Sequence, residues 1–157
     1  MDFNLSREHL LVRKMMAEFT ENEVKPIAAE TDAKSEYPRE NIEKLFDLGV
    51  MGMCVPKEYG GAGADPLASA IAIEELSKQC ASTGDILATH NGLCCDPIMT
   101  HGTPEQKAKY LPMLTTGKKV RHSPEEWARY MRHVADRMDA RQRRMQLEKF
   151  IIFRLGR

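Results

Sequence analysis

Thr89, His90 and Asn91 stand together in the middle of an otherwise apolar run, DILATHNGLCC at 85–95. Ile86, Leu87, Leu93 and two cysteines spread apolar surface around most of a helix built from that run, so the helix should sit centrally. Polar groups in such a place need partners, from the protein or from a ligand. A core histidine satisfied by interhelix hydrogen bonds is the commoner case. A metal centre is not expected, because His90 and His101 lack the i, i+4 pairing and a third ligand. Cys54, Cys80, Cys94 and Cys95 show no CxxC spacing and lie in apolar stretches. They read as buried, reduced thiols of a cytoplasmic protein rather than as ligands.

The elements that must position these residues are organised around Pro56–Lys78. Its first part holds Gly60, Gly61 and Gly63 and is too glycine-rich to be helical. No P-loop lysine or dinucleotide fingerprint surrounds it, so it reads as a tight connector between helices rather than a phosphate cradle. Asp65 caps and Pro66 opens a helix that is apolar on most sides from Leu67 to Ile73. Upstream, Ser6 is an N-cap, with Leu11, Met15 and Phe19 at helical spacing, and Pro26 kinks that helix or begins a second segment, 26–33. Pro38 opens a short helix with Ile42, Leu45 and Phe46 on one face and Gly49 as its left-handed stop. Residues 50–59 read as an extended connection. Ser82 or Thr83 caps the helix that carries His90. Thr103-Pro104-Glu105-Gln106 is a capping box that starts a last helix, with Pro112 marking a kink and Gly117 the end.

The chain has 157 residues, enough for one domain with an appendage, and its 42% hydrophobic content suffices for a core. Aromatic residues at 6% favour aliphatic helix packing over a β-sandwich. The pattern therefore predicts an all-α bundle of five or six helices, with an additional amphipathic helix at the C-terminus. The start is not basic-then-apolar as a secretory signal would be, and no apolar run reaches membrane-spanning length.

The balanced formal charge hides a split. Residues 1–120 hold 13 Lys+Arg against 18 Asp+Glu, a net −5, and residues 121–157 hold 10 against 5, a net +5. Nine of the 12 arginines lie in that tail beside one lysine, Lys149. We place a boundary at Val120, with a helical domain over 1–120 and an Arg-rich helical tail over 121–157. In the tail, Ser123–Glu126 is a capping box and Trp127, Met131, Val134 and Met138 recur on one face. Arg129, Arg132, Arg137, Arg141, Arg143 and Arg144 lie opposite. A solvated basic face is the plainer reading. No nucleic-acid-binding motif accompanies it, so an acidic partner takes precedence over nucleic acid.

Two stretches go beyond bundle physics. PKEYGGAG at 56–63 and HGTPEQKAKYLPMLTTGKK at 101–119 resemble the amino-terminal helical domain of the acyl-CoA dehydrogenases. MDFNLSREHLLVRKM at the start, ENEVKPIAAE at 21–30 and IEELSK at 73–78 are similar to the same family, nearest its short-chain, butyryl-type members. The resemblance runs in one register over about three quarters of the chain.

The resemblance implies FAD-dependent oxidation of an acyl-CoA thioester to its α,β-enoyl form, with electrons passed to an electron-transferring flavoprotein. It also implies that the helix over 85–95 forms one wall of the acyl pocket, where Ile86, Thr89, His90 and Leu93 take substrate-lining positions. A bulky His90 would shorten that pocket and suit a short chain. On a half-open wall it would be partly wetted and titrate near its ordinary value of about 6.5, and its loss would cost less than about 1 kcal/mol. After Val120 the sequence departs from the family, where a flavin-holding β-domain would begin. The expectation is thus a truncated member, inactive by itself, with no catalytic, cofactor-binding or metal residue assigned. Glu74 and Glu75 are read as solvated or paired helix glutamates, not as a substitute base. The expected partners are acyl-CoA, by the resemblance, and a homo-oligomer or a complementing chain, the last of which could supply the flavin domain. The alternative is a non-enzymatic helical interaction module whose basic tail binds an acidic partner.

Overall fold

A computed structural model of the chain describes residues 4–34 and 36–117. The expected Arg-rich helix over 121–157 and the boundary at Val120 lie outside the described residues. Among the described residues there is no strand. Five helical runs are formed, from α1 (Arg7–Phe19) and α2 (Lys25–Lys34), α3 (Arg39–Asp47), α4 (Pro66–Ser77), α5 (Ala81–Thr89) and α6 (Asp96–His101), and α7 (Pro104–Thr115). None of these helices is long and apolar enough to cross a membrane.

Three of the local caps are those the sequence dictates. The Ser6 side chain accepts the His9 N–H, Asp65 accepts the Ala68 N–H ahead of Pro66, and Thr103 and Gln106 form a reciprocal capping box. Asp65 also joins two helices, because His9 Nε2 lies 2.9 Å from its Oδ2. The Ala68 N–H first, and His9 second, hold this carboxyl below its ordinary range. α1 packs along α4, α4 along α5, and α6 against α7. Met16, Leu45, Ala72, Leu76 and Leu87 form the centre of the core, all 0% exposed.

Several expectations need correction. Leu11 does not face the core but is 57% exposed, and Met16 takes the inward place. Of the two expectations at Pro26 the second segment is formed, with α2 starting at Lys25 rather than 26. α1 passes into α2 through a π turn, Thr20–Val24, closed by the Lys25 N–H on the Thr20 carbonyl. The same solution recurs at His90–Cys95, where the Asp96 N–H meets the Asn91 carbonyl one residue before Pro97. A proline lacks the N–H for the α-helical bond and its ring crowds the carbonyl four residues back, and the wider turn relieves both. The helix bearing His90 also begins earlier than Asp85. Cys80, not Ser82 or Thr83, is its N-cap residue. At the other end, α7 runs through Pro112 to Thr115, and Gly117 has φ +68°.

Residues 50–59 are not extended. The Met53 N–H bonds the Val50 carbonyl and the Val55 N–H the Gly52 carbonyl, and a 3-10 turn follows at Lys57–Tyr59. An extended strand would send alternate side chains outward. Here Val50, Met51, Met53 and Val55 are all 3% exposed or less, which successive turns permit.

Candidate functional site

The centre of interest is the rod formed by α5, the π turn His90–Cys95 and α6. Leu87, fully buried, anchors it in the core. Ile86, Thr89 and Leu93 are half-buried and His90 is inside. The expectation of a water-accessible imidazole is not met. His90 is 6% exposed, and its ring stands edge-on to Phe46 of α3, with centroids 5.5 Å apart at 87°. Burial pushes its pKa down to about 4, an effect only partly offset by the Leu114 backbone carbonyl. Nor is it the fully satisfied core histidine of the plainer reading, because Nε2 has no hydrogen-bond partner. Near neutral pH this imidazole is uncharged. It can lend a ring nitrogen to a hydrogen bond but is a poor proton carrier.

Asn91, flagged in the sequence only as a polar residue in an apolar run, has a specific role. Its Oδ1 accepts the Gly52 N–H at 2.5 Å and its Nδ2 donates to the Val50 carbonyl at 3.1 Å. Sequence spacing could not show this, because the partners are backbone groups about forty residues away. The role of Thr115 is likewise invisible to sequence spacing. Its hydroxyl donates to the Tyr59 carbonyl at 3.3 Å, tying the end of α7 to the 3-10 turn.

The two helix glutamates separate. Glu74 is exposed, as expected of a solvated residue. Glu75 is 4% exposed, with each carboxylate oxygen 2.7 Å from Lys78 Nζ and one lying 3.6 Å from Arg13 Nε. Paired in this way, it is not a free base.

The glycine loop does not fit a flavin pyrophosphate. Its N–H groups already serve the chain: Gly60 to Lys57, Gly61 to Pro56 and Gly63 to Val55 carbonyls. The space a cradle would need is filled as well. A Cβ on Gly61 would lie 2.1 Å from the Val55 oxygen, and one on Gly60 2.9 Å from Thr115 Oγ1. No step can be routed through a flavin held there.

The four cysteines are unpaired, and their environments differ. Burial pushes the Cys94 thiol up to about 12 and raises Cys95 further, and it raises half-buried Cys54 as well. Burial would also raise half-buried Cys80, but hydrogen bonds from Ser82 and Thr83 outweigh it and hold that thiol below its ordinary value. Iodoacetamide at neutral pH should therefore label Cys80 first, with Cys94 and Cys95 protected until the fold opens. Peptide mapping of timed labelling checks this, and equal rates at Cys80 and Cys94 would contradict it.

Residues 6–118 match the family described as acyl-CoA dehydrogenase, N-terminal domain. The chain is 57% identical over 120 residues to the short-chain specific acyl-CoA dehydrogenase of Clostridium acetobutylicum, a match covering 76% of this chain and 32% of that protein. Among solved structures it is similar to butyryl-CoA dehydrogenase from Megasphaera elsdenii, at 37% identity and TM-score 0.70, covering 76% of this chain and 32% of that one. It is also similar to a chain from a structure of the electron transferring flavoprotein of Acidaminococcus fermentans, at 42% identity and TM-score 0.71, covering 74% and 31% respectively. The chain thus spans about a third of the length of these relatives.

Proposed function

The chain belongs to the acyl-CoA dehydrogenase family, and from that premise we propose that residues 1–120 are the amino-terminal helical domain of an FAD-dependent enzyme for short-chain acyl-CoA thioesters. The observation that carries the proposal is the match over residues 6–118 and its close identity to a short-chain specific relative. In this reading the rod α5–α6 supplies one wall of the acyl pocket. Ile86, Thr89 and Leu93, half-buried at its margin, meet the chain, and His90 sits behind them and limits depth. The electron-transferring flavoprotein among the structural neighbours supports a partner that takes the electrons. Four unpaired cysteines support a reducing, cytoplasmic setting.

Bound flavin would supply the redox chemistry, and α-proton removal needs a carboxylate at the substrate. Neither is provided by the described residues, whose glycine loop is closed and whose Glu75 is paired. The 157-residue polypeptide by itself is therefore expected to purify without flavin and to leave a dye unreduced with butyryl-CoA. Stoichiometric flavin absorbance in that preparation would overturn this. The direct test of the domain's role is a chimera, in which residues 1–117 replace the matching segment of the Clostridium relative. Turnover of butyryl-CoA by the chimera is the expected result. A folded, flavin-loaded chimera without turnover would instead favour the non-enzymatic module.

A further inference from the structure

We propose that Asn91 is the positioning residue of the candidate acyl wall: its amide fastens the π turn to the 50–53 turn and so fixes His90 against Phe46. The proposal rests on reading α5–α6 as that wall. Both ends of the clamp are main-chain groups in a segment with no slack. Gly52 has φ +84°, and a Cβ there would lie 2.7 Å from Thr115 Cγ2, so the turn cannot slide toward α7. Thr115 is itself tied to the Tyr59 carbonyl.

The other side of the imidazole is equally fixed. Gly117 sits on the Phe46 ring so closely that a Cβ would come within 2.8 Å of Cγ. Phe46 is therefore backed by the end of α7 and faced by His90. With both walls set, the position of the π turn decides where the imidazole lies, and Asn91 is the side chain of that turn bonded to the fixed segment. Pro97 widens the turn, but it has no N–H with which to tie it by a hydrogen bond across the fold. Without the amide, the Gly52 N–H and Val50 carbonyl lose their buried partner and the turn must move to let water reach them. His90, the preceding residue, moves with it, and so does the depth of the wall.

The test is the Asn91→Asp variant of the full chain, followed through the His90 ring signals by NMR. A protonated carboxyl can accept from Gly52 and donate to Val50 as the amide does, while an ionised one turns an oxygen toward the Val50 carbonyl. Burial raises the pKa of such a carboxyl. At pH 5.5 the His90 signals should keep the displacement given by the Phe46 ring, and at pH 8 they should lose most of it. Signals unmoved by pH alongside a lowered melting temperature would make Asn91 a structural residue only and overturn the proposal. Should the variant not fold at either pH, amide exchange in the wild type decides. The Gly52 N–H must be protected as fully as the core, and fast exchange sinks the clamp. If the chimera fails to turn over while His90 follows the introduced carboxyl, the wall reading falls and the clamp stands.

Discussion

Replacing Gly61 by alanine is expected to destabilise the fold by about 3 kcal/mol, whereas Gly49→Ala should cost about 1–2 kcal/mol. The ordering is the reverse of what backbone angles alone would suggest. Gly49 has φ +72° and Gly61 has no positive φ, so only Gly49 carries conformational strain as alanine. Around Gly49, however, nothing lies within 4 Å of an added Cβ. At Gly61 the new carbon would fall 2.1 Å from the Val55 oxygen and 2.6 Å from its carbonyl carbon. These are backbone atoms, which cannot swing aside as a long side chain can. Val55 is fully buried and its carbonyl accepts the Gly63 N–H at 2.9 Å, so moving it breaks the loop's own bonding. Urea unfolding of the two variants beside wild type measures the difference. Equal losses would mean that the connector yields, and that the crowding at Gly61 does not set the path of the loop.

The same loop shows how much of this protein was legible in the sequence. Its reading as an interhelical connector rather than a phosphate cradle holds, because glycine spacing and a missing lysine are local signals. The caps at Ser6, Asp65 and Thr103 were legible for that reason, and so was the all-α class, which follows from apolar periodicity. What was not legible depends on groups far apart in the chain. The prolines at 26 and 97 are visible, but the π turns that accommodate them are backbone arrangements that residue types alone do not specify. Residues 50–59 read as extended, yet the adjacent Val50 and Met51, and Met53 and Val55 after them, are all buried by a series of turns. The sequence leaves Glu75 either solvated or paired. It is paired with Lys78, three residues on, and its burial comes with the packing of α1 on α4, which brings Arg13 Nε to 3.6 Å. His90 was the hardest. Its helix reads as a central element, while its family resemblance implies a substrate-lining face, and only the position of Phe46 places the ring inside.

That placement gives His90 a pH signature with a definite sign. In the unfolded chain the imidazole binds its proton near pH 6.5, and in the fold not until about pH 4. Between these values the unfolded state holds more protons, so the stability given by the neutral, buried ring is fully present above about 6.5 and is lost as pH falls toward 4. A shift of this size corresponds to about 3 kcal/mol over the whole window, with a slope of up to about 1.4 kcal/mol per pH unit. At pH 7.5 His90→Ala should cost about 3 kcal/mol, because it leaves a cavity beside Phe46 in a core that relaxes only in part. At pH 5 the wild type has already lost most of its advantage, and the same substitution should cost only about 1 kcal/mol. Glu21, Asp65 and Glu105, all held below their ordinary values, also give up stability as pH falls, but they are common to both proteins and cancel when wild type and His90→Ala are compared at the same pH. Urea midpoints for wild type and His90→Ala at the two pH values decide the matter. A cost that stays large at pH 5 would mean that the ring is held by packing alone. A cost that is small at both would return His90 to a half-open, wetted wall, where its loss leaves neither a cavity nor a buried neutral base behind.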